Sequence, residues 1–147
     1  MKLGTELIIL LTGTVVPNNF DTLALSKPRE RKQQYIQAIM YYLENFKHKV
    51  VFVENSGCSL MPYFKNYPNG LEILTFTTKP LNRDSGKGYK ELEILEYAFN
   101  NSKFIQNSSV IVKITGRLKV LNLNYISKSV IKDSRRHKKL IRSNIYK

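Results

Sequence analysis

Four short apolar runs constrain this chain more than any other feature. Glu6-Leu7-Ile8-Ile9-Leu10-Leu11, Lys49 to Val53, Leu71 to Phe76 and Ser109-Val110-Ile111-Val112-Lys113-Ile114-Thr115 are short, strand-length segments bounded by polar, proline or glycine residues. Such runs suit strands of a parallel sheet, and the last of them is expected to be buried on both faces. Between the first two, Tyr35, Ile36, Ile39, Met40, Leu43 and Phe46 recur at helical spacing behind a candidate cap, Ser26, and Pro28. A second helix is expected from about Tyr89 to Asn100, with Leu92, Leu95, Ala98 and Phe99 on one stripe. Leu118 to Ile126 reads as helix or loop. Strand, helix, strand at this spacing implies right-handed crossovers, and hence an α/β, Rossmann-like, mostly parallel sheet flanked by helices.

A chain of 147 residues with 42% hydrophobic content can bury a core of its own. We expect an α/β domain over residues 1–126 and a basic, partly helical tail over 127–147. No apolar run reaches the ~20 residues that span a bilayer, and Met1-Lys2-Leu3-Gly4-Thr5-Glu6 leads into a core-like strand rather than resembling a signal peptide. The expected location is therefore cytoplasmic. Cys58 has no second cysteine to pair with, and with His48 and His137 it makes no zinc-ligand spacing. These three residues read as incidental.

The residues at the carboxyl ends of the strands carry the candidate chemistry, because open α/β sheets bind ligands there. Lys113 and Arg117 frame Thr115-Gly116 and point to an anionic ligand, most simply a phosphate or diphosphate. Thr12-Gly13-Thr14 turns the chain after the first strand, and Glu54-Asn55-Ser56-Gly57 follows the second. Gly86-Lys87-Gly88 lies at a helix amino terminus, where free amides favour an anion, yet it lacks the spacing of a Walker loop. Each feature has a plainer reading. Lys113 could cap a strand end in solvent, Arg117 could pair with a carboxylate, and the two strand-end turns are also ordinary turn chemistry. The tyrosines at 35, 41, 42 and 97 read as core and helix-face residues. Ser129-x-x-Lys132 together with Lys113-Ile114-Thr115-Gly116 does not match penicillin-binding motifs, since the order is reversed.

Taken in order, Leu10-Leu11-Thr12-Gly13-Thr14, Val53-Glu54-Asn55-Ser56-Gly57, Gly86-Lys87-Gly88-Tyr89-x-Glu91, Tyr97-Ala98 and Lys113-Ile114-Thr115-Gly116-Arg117 resemble bacterial glycosyltransferases of GT-A type from capsule and O-antigen synthesis. The resemblance covers roughly Leu7 to Asn124. It implies a nucleotide-sugar-binding half, followed in the family by an acceptor half, and transfer of a sugar from a nucleotide diphosphate donor to a glycan or polyprenyl-linked acceptor. It further implies that Thr12, Gly13 and Thr14 edge the nucleotide pocket and that Glu54 accepts hydrogen bonds from base or ribose, with Asn55 beside it among the donor-binding residues. Lys87 and Gly88 would line the sugar-phosphate side, with Glu91 positioning Lys87 or a sugar hydroxyl. Lys113 and Arg117, flanking Thr115 and Gly116, fall where many such enzymes carry metal-binding aspartates. Cations there imply that leaving-group charge is met without Mg²⁺ or Mn²⁺, so no cofactor is expected; a divalent ion held by a carboxylate from elsewhere stays open. No residue stands out as a catalytic base. Asp84, Glu91, Glu93 and Asp133 are the local carboxylates, and the short length suggests the donor-binding part of a larger enzyme.

The formal charge of +13 favours polyanionic partners. It concentrates at the end of the chain, where Lys128, Lys132, Arg135, Arg136, Lys138, Lys139, Arg142 and Lys147 are opposed by Asp133 alone. Three readings follow: peripheral contact with anionic lipid at the inner face of the membrane, neutralisation of nucleic-acid phosphates, or a solvated terminus. Only Tyr125 and Tyr146 could stack on bases, which weighs against nucleic acid. The alternative to a transferase is accordingly a non-catalytic basic protein binding nucleic acid or an anionic membrane.

Overall fold

A computed structural model describes residues 6–17, 27–67, 69–78 and 86–136. Strand β1 (Leu7–Gly13) leads to helix α1 (Pro28–Asn45) and strand β2 (Lys49–Glu54). A single 3-10 turn at Met61–Tyr63 precedes strand β3 (Leu71–Thr75), helix α2 (Gly86–Asn101) and the four-residue helix α3 (Lys103–Gln106). Strand β4 (Val110–Thr115) and helix α4 (Leu123–Ser134) complete the described chain. The four strands form one sheet in the order β3-β2-β1-β4, and every pairing between neighbouring strands is parallel. The expected α/β, Rossmann-like architecture is what the chain forms.

β1 is the central element, buried at every one of its seven positions. Its pleat divides the core, since successive side chains leave a strand on opposite faces. Leu7, Ile9 and Leu11 pack with Val50 and Phe52 against Tyr35, Ile36, Ile39 and Tyr42 of α1, and Leu123 of α4 closes the same cluster. Ile8 and Leu10 pack with Val51 and Val53 against Ile94 and Ala98 of α2 and Ile105 of α3. The chain runs outward from β1 through β2 to β3, then crosses back over β1 to β4. That reversal puts α1 and α2 on opposite faces, as a constant crossover hand requires.

Several elements differ from the sequence expectation, each for a local reason. β4 is an edge strand of the described sheet and is not fully covered: Lys113 and Thr115 are exposed and Ile111 and Val112 half-buried, because α2 and α3 pack over β1 and β2 rather than over β4. α1 takes Lys27 as its N-cap, with no side-chain cap bond and with Pro28 opening the helix; Ser26 lies outside the described residues. Its buried face includes Ala38 and Tyr42, whereas Met40 is exposed. α2 begins at Gly86 and buries Ile94 and Ala98, so Leu92 and Phe99, assigned to its inner stripe, face solvent. After β4 the chain is irregular up to Asn122, and α4 then runs through the expected domain boundary between 126 and 127. Residues 137–147, with Lys138, Lys139, Arg142 and Lys147, lie outside the described residues, as does Asp84. Among the described residues no helix is long and apolar enough to cross a membrane.

Candidate functional site

The strand order of this sheet reverses between β1 and β4, its switch point: β1 leaves into α1 on one face, and β4 is entered from α2 and α3 on the other. Parallel register brings the strand ends level: Gly13 lies opposite Glu54, and Thr12 opposite both Val53 and Thr115. Thr12, Gly13, Thr14, Glu54, Asn55, Thr115, Gly116 and Arg117 therefore meet along one carboxyl edge, as their places in the sequence suggest. They do not share one task.

Glu54 is fully buried, and its carboxylate is occupied by the protein. Oε1 accepts hydrogen bonds from the Val15 and Ser56 amides at 3.1 and 2.7 Å and from the Ser56 hydroxyl, while Oε2 accepts from the Cys58 amide at 3.0 Å. A buried carboxylate is stable only when its lone pairs are satisfied in this way. Glu54 ties the loop after β1 to the loop after β2, so it has a structural task where the resemblance implies a nucleoside contact. Asn55 adds a second tie: its Oδ1 accepts from the Thr14 hydroxyl at 2.6 Å, and its backbone N–H donates to the Gly13 carbonyl at 3.3 Å.

Glu91 and Lys113 belong to the α2 face of the sheet. The Lys113 ammonium lies 2.6 Å from Glu91 Oε1, which also accepts from the Thr12 hydroxyl at 2.8 Å. Lys113 is thus neutralised by a carboxylate one turn into α2. Gly88 is exposed, and a Cβ there would meet nothing within 4 Å. Lys87 enters the first turn of α2, but its side chain lies outside the described residues.

On the α1 face, Tyr35 governs the edge. Its ring lies so close to both strand-end glycines that a Cβ on Gly13 would fall 2.5 Å from Tyr35 Cε1, and one on Gly116 would fall 3.1 Å from Tyr35 Cδ1 and 2.7 Å from the Thr12 carbonyl oxygen. Both positions need glycine for close approach; neither has a positive φ, which among the described residues occurs only at Gly57. The Tyr35 hydroxyl accepts from the Thr14 amide at 3.0 Å. One turn earlier on the same helix face, Arg31 grips the Thr14 carbonyl through Nε at 3.1 Å and a terminal nitrogen at 2.8 Å. From the turn after β4, the Arg117 guanidinium lies 6.0 Å from the Tyr35 ring centroid and donates to Gln34 Oε1 at 3.1 Å. Arg117 Nε is buried without a hydrogen-bond partner among the described residues.

Two guanidinium groups, each with a fork of five N–H donors, therefore flank one tyrosine at the switch point. The ion pairs among the described residues are Lys27–Glu30, Lys49–Glu6 and Lys113–Glu91, and none engages an arginine. Tyr42 supports the segment that follows Arg117, donating to the Leu118 carbonyl at 2.6 Å and accepting from the Val120 amide at 3.0 Å. Burial lifts the pKa of that hydroxyl above its usual 10.0, the bond from Val120 opposes the shift, and Tyr41 adds to it. The sequence reading missed Arg31 and Gln34; Tyr35 lies in the core as expected, and its hydroxyl also reaches the carboxyl edge. The available signal was the spacing Arg31-x-x-Gln34-Tyr35, which at the start of α1 aims all three at the carboxyl edge. Among the described residues, no three His, Cys, Asp or Glu side chains are grouped to hold a metal ion. Comparison of the chain with protein-family models, curated proteins and solved structures finds no match.

Proposed function

We propose that the carboxyl edge between β1 and β4 binds the diphosphate of a nucleotide-activated sugar. On this reading the chain is the donor-binding part of a glycosyltransferase of bacterial surface-polysaccharide synthesis, acting toward a glycan or polyprenyl-linked acceptor. The observation that carries the reading is the pair Arg31 and Arg117 around Tyr35, at the ligand-binding point of the fold and without a carboxylate partner among the described residues. Guanidinium groups suit phosphate oxygens because their planar donors bind two at once, and they stabilise the charge that builds on a departing diphosphate. Relative to the sequence expectation the anion site shifts toward α1. Arg117 keeps its assigned role, Arg31 joins it, and Lys113 becomes the partner of Glu91.

The test is a thermal-shift and calorimetric titration with nucleoside diphosphates and nucleotide sugars, on the parent chain, Arg117→Met and Lys113→Met. A donor at ~100 times its Kd should stabilise the parent by ~2.7 kcal/mol. Arg117→Met should weaken binding about 10- to 100-fold, the worth of ~1.5–3 kcal/mol for a hydrogen-bonded charge, and Lys113→Met should change it little. No shift with any nucleotide donor, or loss of binding in Lys113→Met but not in Arg117→Met, overturns the reading.

A further inference from the structure

The outward line of α4 and the turn before it do not serve the core. Leu118, Leu121 and Tyr125 are 58, 83 and 77% exposed, and the last two are the most exposed large hydrophobic side chains among the described residues. The inner side of α4 is well provided: Leu123 and Ser127 are buried, and Val130 and Ile131 pack on the α1-side core. Tyr125, Lys128 and Lys132 follow one another along α4 at three- and four-residue steps, the spacing of a single line along a helix; Leu121 lies in the turn that leads into it, and Lys128 and Lys132 are exposed. Arg135 and Arg136 continue the cationic end, and Lys119 stands between the two leucines with its ammonium 5.6 Å from the Tyr41 ring. The sequence beyond adds Lys138, Lys139, Arg142 and Lys147.

We propose that this face docks the protein on an anionic lipid bilayer. Leu121 and Tyr125 enter the boundary between headgroups and acyl chains, and the cations of α4 lie against phosphate headgroups. Scattered exposed leucines are ordinary, but an apolar cluster at one end of a basic helical line has the composition of an interfacial membrane anchor. The charge selects an anionic partner, since Asp133 is the sole carboxylate between Leu118 and Arg136. The apolar cluster then selects among anionic partners. Aliphatic side chains gain nothing from phosphates in a groove, and one exposed tyrosine is no stacking surface, whereas tyrosine and leucine beside lysine suit the bilayer interface.

The chain has no tryptophan, so Tyr125→Trp supplies a unique reporter at the proposed point of entry. Phosphatidylcholine vesicles with one third phosphatidylglycerol should shift its emission to the blue, and pure phosphatidylcholine should bind far less, because each cation near an anionic surface raises partitioning about five-fold. In co-sedimentation of the otherwise unaltered chain, Leu121→Ser with Tyr125→Ser should lower partitioning at least about ten-fold. Its thermal midpoint should match the parent, since both side chains are exposed. An unshifted emission while the protein sediments with anionic vesicles overturns the proposal. So does a loss of two-fold or less in the double variant, or preferential binding to duplex DNA that the double variant leaves intact.

Discussion

Replacing Glu54 with glutamine separates the two tasks this residue could have. The variant keeps the shape of the side chain but removes its charge and turns one of its two oxygens into a donor. In the parent, Oε1 receives three hydrogen bonds and Oε2 receives one. The better amide orientation keeps the oxygen at the three-donor position and faces the new NH₂ toward the Cys58 amide, leaving that amide unpaired. Three bonds to a charged acceptor then become neutral ones, at a cost of ~1 kcal/mol each, and the orphaned amide costs a further ~1–3 kcal/mol. Burying an amide is easier than burying a carboxylate, which offsets part of this, and the net expectation is a destabilisation of ~2–4 kcal/mol. For a chain of this size, that lowers the thermal midpoint by ~6–12 °C. Urea unfolding followed by circular dichroism, together with a melting scan, measures it. A stability within ~0.5 kcal/mol of the parent, with weakened nucleotide binding instead, would refute the structural account and restore Glu54 to the ligand.

Two further expectations concern other residues. Gly116→Ala should destabilise by at least ~2 kcal/mol in urea unfolding, because its Cβ would lie 2.7 Å from the Thr12 carbonyl oxygen, whereas Gly88→Ala, with nothing within 4 Å, should be neutral or stabilising by up to ~1 kcal/mol; similar midpoints for the two would remove close approach as the reason for glycine at the edge. Burial lowers the His48 pKa below its usual 6.5, so between the folded and unfolded values the unfolded chain holds more protons, and stability, complete above that window, falls as pH drops through it. His48→Gln should flatten the change in urea midpoint between about pH 7.5 and about pH 5, and an unaltered slope would assign the pH dependence to other groups.

The strands were legible because each is a short apolar run with a polar or glycine stop, a signal that does not depend on the neighbours. What the runs could not disclose is their order in the sheet. Ser109 to Thr115 has the composition of an interior strand, yet β4 sits at the edge, and the interior place belongs to β1, whose seven residues are all buried. The inner faces of the helices were less legible for a similar reason. α2 carries apolar residues on more than one side, and only the position of β1 and β2 beneath it decides that Ile94 and Ala98 turn inward while Leu92 and Phe99 do not. Glu54 illustrates the limit for polar residues. A carboxylate at a strand end reads equally as a ligand contact or as an acceptor for loop amides, and the choice rests on where Val15, Ser56 and Cys58 bring their N–H groups.

Lys113 and Arg117 show how one motif divides across a sheet. Four residues apart, they would share a face if the strand continued, because side chains alternate with a period of two. Lys113 is within β4, on the face that carries Ile111, and meets Glu91 of α2. The strand ends at Thr115, the Gly116 amide makes its bond to the Thr12 carbonyl, and the chain turns. Arg117 is thereby released from the pleat and joins Tyr35 and Gln34 on the α1 side. The absence of a Cβ at Gly116 makes this turn possible beside the Tyr35 ring, so the glycine of the motif serves the arginine that follows it. Arg31 reaches the same edge from the second turn of α1 by holding the Thr14 carbonyl. Cationic donors from α1 and from the turn after β4 thus gather on one side of the switch point, while Lys113 on the other is paired with Glu91. An anion bound at this edge is therefore held from the α1 side, and its affinity should follow substitutions at Arg31 and Arg117 rather than at Lys113.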